Sequence, residues 1–108
     1  MPKDMFEIRA EVWLYPGESA SWHFVSVPKD ISSEIRERFG ERSRGWGSLP
    51  VTVTIGRTNW NTSIFPDKKS AAYLLPLKAS VRAKERIRVG EEIVFSIRMR
   101  VQEDFFLF

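Results

Sequence analysis

Apolar residues occupy every second position at the start of the chain, where Phe6, Ile8, Ala10, Val12 and Leu14 alternate with Glu7, Arg9 and Glu11. That period of two predicts a strand over Met5 to Tyr15 with one face buried and one in water. Trp13 and Tyr15 interrupt the polar face at the far end, so that end is read as covered by another element or as an aromatic patch, and Pro16-Gly17 stops the strand. Ala20 to Val27 reads as a second strand. Leu49 to Ile55 is a third, with Val51, Val53 and Ile55 facing inward, and Trp60 to Phe65 a fourth after a turn over Gly56 to Asn59. Ala71 to Leu77 and Ile93 to Gln102 complete the set, the latter alternating Ile93, Phe95, Ile97, Met99 and Val101 with Ser96, Arg98, Arg100 and Gln102. About six short strands in so small a chain predict a mainly β fold closed, or nearly closed, into a small barrel, because closure removes unpaired strand edges.

Two interruptions have helical character. After Val27-Pro28-Lys29, Asp30 is placed to cap a helix whose Ile31, Ile35 and Phe39 recur on one face, and Gly40 is placed to end it. Lys78 to Arg86, with Ala79, Val81 and Ala83, predicts a second, shorter helical stretch before Val89-Gly90-Glu91-Glu92 turns into the last strand. The two regions share one order: apolar strand, proline, short helix, glycine, strand. With Pro28 aligned on Pro76, Glu34-Ile35-Arg36 and Ser80-Val81-Arg82 fall two places out of register, and the glycines are Gly40 and Gly90. A repeat near 48 residues, over about 20–56 and 70–101, predicts two half-barrels in one domain spanning 1–108, each burying the apolar face of the other.

The run from Leu75-Pro76-Leu77 through Val81-Arg82 to Val89-Gly90-Glu91-Glu92-Ile93-Val94-Phe95 resembles the strand-loop-strand unit of the AbrB, MazE and MraZ swapped-hairpin barrels. A longer pattern is more specific: Trp22, Phe24-Val25, Val27-Pro28, Ile35, Gly45-Trp46-Gly47, Val51, Val53-Thr54-Ile55-Gly56, Trp60, Ser63, Phe65-Pro66, Tyr73, Leu75-Pro76 and Arg82. Over nearly the whole chain it resembles the small prokaryotic domain-of-unknown-function family 1905. The resemblance implies a single-chain double-split β-barrel, fold-related to the AbrB-like barrels and without an agreed activity. Two departures stand out: Gly56-Arg57 replaces a frequent Gly-Gly turn, and this sequence does not include the helical C-terminal domain of some members. Kinship of fold with DNA-binding barrels is association, not mechanism.

Composition narrows the chemistry. A chain of 108 residues with 43% hydrophobic and 29% charged residues is that of one folded domain, and zero cysteine removes disulfides, thiolate zinc sites and thiol nucleophiles together. With no signal pattern and no apolar run of spanning length, the expectation is a cytoplasmic protein without a membrane partner, and Asn61-Thr62-Ser63 carries little weight as a glycosylation acceptor. His23, the single histidine, sits between Trp22 and Phe24 on a strand and reads as structural, and no nucleophile elbow, phosphate loop or paired-carboxylate motif appears. No enzyme, metal or cofactor is expected.

Binding is the stronger class. The net charge of +3 conceals an asymmetry: residues 68–100 hold nine Lys or Arg against three Glu, while residues 1–67 hold eight against nine acids. Lys78, Arg82, Lys84, Arg86 and Arg88 flank the second helical turn, and Arg98 and Arg100 lie on the polar face of the last strand; brought together they would form a cationic patch for nucleic acid. The plainer alternative has Arg82 bracing a loop through backbone carbonyls or a carboxylate, Arg86 and Arg88 pairing with Glu91 and Glu92, and Glu34 pairing with Arg38 at helical spacing. Arg42 and Arg44 beside Gly45-Trp46-Gly47 are candidates for an anion loop, with a tryptophan-anchored turn preferred. A small-ligand or protein-binding reading instead places Trp13, Trp22, Trp46, Trp60 and Tyr73 along a groove, although most of these aromatics are expected in the core. The terminal Phe105-Phe106-Leu107-Phe108 is expected to dock on its own barrel, or otherwise on a second copy, so the oligomeric expectation is a monomer or a weak homodimer.

Overall fold

The computed structural model describes residues 2–16 and 22–103. Seven strands and two α-helices lie among them: β1 (Met5–Glu11), β2 (Trp13–Leu14), β3 (His23–Ser26), α1 (Lys29–Phe39), β4 (Leu49–Ile55), β5 (Thr58–Pro66), β6 (Tyr73–Pro76), α2 (Ala79–Glu85) and β7 (Glu92–Met99). The terminal Phe105–Phe108 and the first residues of the expected second strand lie outside the described residues.

Every ladder is antiparallel, and the order is β1-β7-β4-β5-β6-β3-β2. The two ends of that order, β1 and β2, are consecutive in the chain with only Val12 between them, so the sheet curls round to a nearly closed barrel. Val12 is fully buried; its amide donates to the Glu91 carbonyl and its carbonyl accepts from the Gly90 amide, both at 2.8 Å. The single strand expected from Met5 to Tyr15 is therefore divided: its first part pairs with β7 and its second with β3. Opposite, β5 makes the same crossing without a break, pairing with β4 from Thr58 to Ile64 and then with β6 through Phe65 and Pro66. Two antiparallel pairs, β4 with β7 and β3 with β6, are thus bridged by two crossing strands.

The same order of strand, helix and strand occurs twice, as β3-α1-β4 and β6-α2-β7. In both central ladders residues 48 apart in sequence face one another, Ser26 with Leu74 and Val51 with Met99. That is the pairing two-fold-related halves produce. Of the alternating residues read as inward-facing, Phe6, Ile8, Val12, Val51, Val53, Ile55, Phe95, Ile97 and Met99 are buried in the core, joined by Ile35 and Phe39 from α1 and Val81 from α2, whereas Leu14 at the end of β2 is exposed.

The helix ends differ from expectation. Pro28, not Asp30, stands at the start of α1, because its extended backbone leaves its carbonyl to take the first helical bond, from the Ser32 amide at 2.8 Å. Asp30 lies in the first turn, where a negative charge suits the helix dipole. Gly40 stays right-handed and leads into a 3-10 turn. The left-handed ending belongs to α2, where Arg86 takes φ 55°. The turn between β4 and β5 is tighter than the expected Gly56 to Asn59, with Ile55 facing Thr58 across Gly56-Arg57.

Candidate ligand cleft

β5 parts from β6 over most of its length, since only Phe65 and Pro66 pair across. The alternation of β5 puts Trp60 and Thr62 on the barrel side, opposite buried Val53 and Val51, and the free edge faces the start of β3, the end of β6 and α2. A cleft of about 260 Å³ opens there, lined by Trp22, His23, Trp60, Asn61, Thr62, Pro76, Leu77, Lys78 and Arg82. Pro76 and Leu77 are held by β6 and by the Leu77 amide, which donates to the His23 carbonyl at 2.9 Å.

Arg82 projects from α2, and its Nε donates to the Leu77 carbonyl at 3.0 Å. This is the loop-bracing role weighed from the sequence, and Arg36 on α1 acts alike, donating from Nη2 to the Ala71 carbonyl at 2.9 Å. One nitrogen braces the loop and the rest of the Arg82 guanidinium is left for the cleft. On the outer face of the sheet, the Thr52 hydroxyl donates to Asn61 Oδ1 at 2.7 Å, so the Asn61 side chain is held there and only its neighbours Trp60 and Thr62 turn toward the barrel side.

The other candidate cations fall into two groups rather than one patch. Lys84, Arg86 and Arg88 are exposed on α2 and the turn before β7, whereas Arg98 and Arg100 stand exposed at the far end of that strand. Six residues of extended strand from Glu92 to Arg98 separate the groups by about 20 Å. Arg98 faces outward in one row with Thr52 and Asn61. The expected pairing of Arg86 and Arg88 with Glu91 and Glu92 takes another form. Glu91 accepts the Arg88 backbone amide at 2.9 Å, and Glu92 meets Arg9 from β1 at 3.2 Å. Glu34 and Arg38 pair as the helical spacing predicts, at 2.7 Å.

The Gly45-Trp46-Gly47 segment is a 3-10 turn closed by backbone bonds: Gly47 donates to the Arg44 carbonyl, Ser48 to that of Gly45, and Arg44 to that of Ser48. Arg42 and Arg44 are exposed beside it. Trp46 anchors nothing, being 93% exposed with φ 64°. The aromatics are less buried than expected. Tyr73 is in the core and Trp60 is packed against it, but Trp22 is 57% exposed and joins Trp13, Tyr15 and Phe24 in a cluster on the outer face of β2 and β3, with Trp22 stacked on Phe24 at 6.3 Å. The patch anticipated at the end of the first strand is therefore present.

Of the residues singled out in the sequence, the fold unites Trp60 and Arg82, together with Trp22, His23 and Lys78. In the sequence Asn61 and Thr62 stand out only as part of a glycosylation triplet; their place on the cleft depends on where β5 leaves β6, which local alternation does not encode. No helix among the described residues is long and apolar enough to cross a membrane.

A search of curated proteins finds no match. A family model does match, over residues 9–97, which takes in the first crossing strand from Arg9 onward, all of β5, both helices and every residue of the cleft. On that match the chain belongs to the family described as domain of unknown function DUF1905.

Proposed function

We propose that this barrel is a binding module rather than a catalyst, and that the cleft between β5 and α2 is its ligand seat. One observation carries the reading: the gap left by β5 gathers Trp60 from β5, Arg82 and Lys78 from α2 and its start, and Trp22 from just before β3 around one concavity. Concave sites that combine aromatic walls with a few convergent polar groups are where small ligands bind. At about 260 Å³ the volume lies just under the roughly 300–1,000 Å³ common for drug-sized ligands, so a compact molecule fits. The split of the basic residues into two groups favours this reading over nucleic acid, whose backbone would need them as one track.

A fragment screen read by amide chemical shifts of labelled protein tests the proposal. Hits should move the resonances of Asn61, Thr62, Leu77 and Lys78 together, and Trp60→Leu should weaken them. Tight duplex DNA binding that weakens steeply with salt and is lost in Arg86→Ala/Arg88→Ala would overturn it in favour of a nucleic-acid module.

A further inference from the structure

The nature of the ligand follows from a comparison of the two gaps of the barrel, and it rests on the β5–α2 cleft being the ligand seat. The counterpart gap, between α1 and β1, is lined in part by Lys3, Phe6, Glu34, Arg38 and Glu103. There the arginine is fully answered. Arg38 Nη1 lies 2.7 Å from Glu34, its Nη2 lies 3.0 Å from Glu103 and also donates to the Lys3 carbonyl, and the guanidinium packs over the Phe6 ring. Two carboxylates, Glu34 and Glu103, stand against two cations, Arg38 and Lys3.

In the β5–α2 cleft the charges are not balanced. Lys78 and Arg82 line it and no carboxylate does. Because Arg82 Nε is fixed on the Leu77 carbonyl, the guanidinium plane is oriented, and its two terminal nitrogens have no partner among the described residues. Lys78 can only donate. A set of donors in a partly enclosed cleft calls for acceptor oxygens carrying negative charge, and an arginine fork matches two oxygens of one oxyanion. Trp22 and Trp60 on the same walls supply flat apolar surface.

We infer that the cleft binds a small oxyanion carried on a flat ring, a phosphate monoester or a carboxylate. The oxygens meet the Arg82 fork and Lys78, and the ring lies against Trp60. The two anions share this chemistry and differ in charge and in oxygen number.

Calorimetry and amide shifts with phenyl phosphate, benzoate, inorganic phosphate and uncharged benzyl alcohol separate the outcomes. Phenyl phosphate or benzoate should shift Asn61, Thr62, Leu77 and Lys78 and bind at least about tenfold more tightly than benzyl alcohol or phosphate alone. The tighter of the two names the anion. Lys78→Gln, at an exposed site, should weaken binding by about tenfold, and Arg82→Lys, which keeps the charge and loses the fork, should weaken it as well. If benzyl alcohol moves the same amides as strongly, or if both variants bind unchanged, the oxyanion inference fails while the ligand seat stands. If no probe and no fragment moves the cleft amides, the seat itself is refuted and the inference with it.

Discussion

Ser32 shows how much one side chain can hold. It is completely buried on α1, its hydroxyl donates to the Val27 carbonyl at 3.0 Å, and its oxygen accepts the Tyr73 amide at the same distance, so a single oxygen ties the helix to the ends of β3 and β6. Ser32→Ala should lower stability by about 1–3 kcal/mol in urea unfolding, because an amide and a carbonyl are left buried without partners. Arg86 makes the opposite case. A left-handed helix ending favours glycine, so Arg86→Gly should raise stability by about 1 kcal/mol in the same assay. At this scale the sequence was legible wherever a residue followed its strand's alternation, as Val51, Val53, Ile97 and Met99 do. It was silent on Ser32, because a serine next to Ser33 in a helix looks like solvated surface until Tyr73 is folded against it. The buried phenol of Tyr73 is itself held above its ordinary value of 10.0 by desolvation, only partly offset by Arg36. The raised value means its contribution to stability is complete below pH 10 and is lost as pH rises past it.

Elements were read well where both edges of a strand had partners. Leu49 to Ile55 was bounded as observed, since it lies between β5 and β7. The first strand was read too long because alternation continues through Val12 while the pairing partner changes there. Periodicity reports which face is buried, not which neighbour covers it. The hairpin of β4 and β5 carries a sharper constraint. Gly56 has φ 56°, and a Cβ there would collide with the Glu85 carboxylate, which also accepts the Thr58 hydroxyl at 2.6 Å. Gly56→Ala should therefore cost about 1–3 kcal/mol by thermal unfolding, and Glu85→Ala in the same chain should recover part of that loss by clearing the collision.

At the scale of the molecule, the nearly closed barrel was foreseeable from strand number alone, whereas the cleft was not. It exists because β5 leaves β6 early, and Trp60, Lys78 and Arg82 meet only in three dimensions. In the other gap the arginine is held by carboxylates from α1 and from the segment after β7. The hydrogen bond from Arg38 holds Glu103 below its ordinary value of 4.5. A depressed carboxylate stabilises above that value and loses its effect as pH falls through its lowered one, so the tie between α1 and the segment after β7 should loosen in acid. Wild type and Glu103→Gln should differ in urea midpoint at neutral pH and converge as the pH falls through that lowered value. The crossing first strand has a further consequence, in the order of synthesis. Met5 finds its partner only at Arg98, so while the chain is being made the apolar face of β1 has to wait, bare, until the last strand has left the ribosome. Every stop short of β7 releases a chain whose first strand has nothing to close upon, and truncated products of this protein should be the ones that chaperones hold and proteases clear.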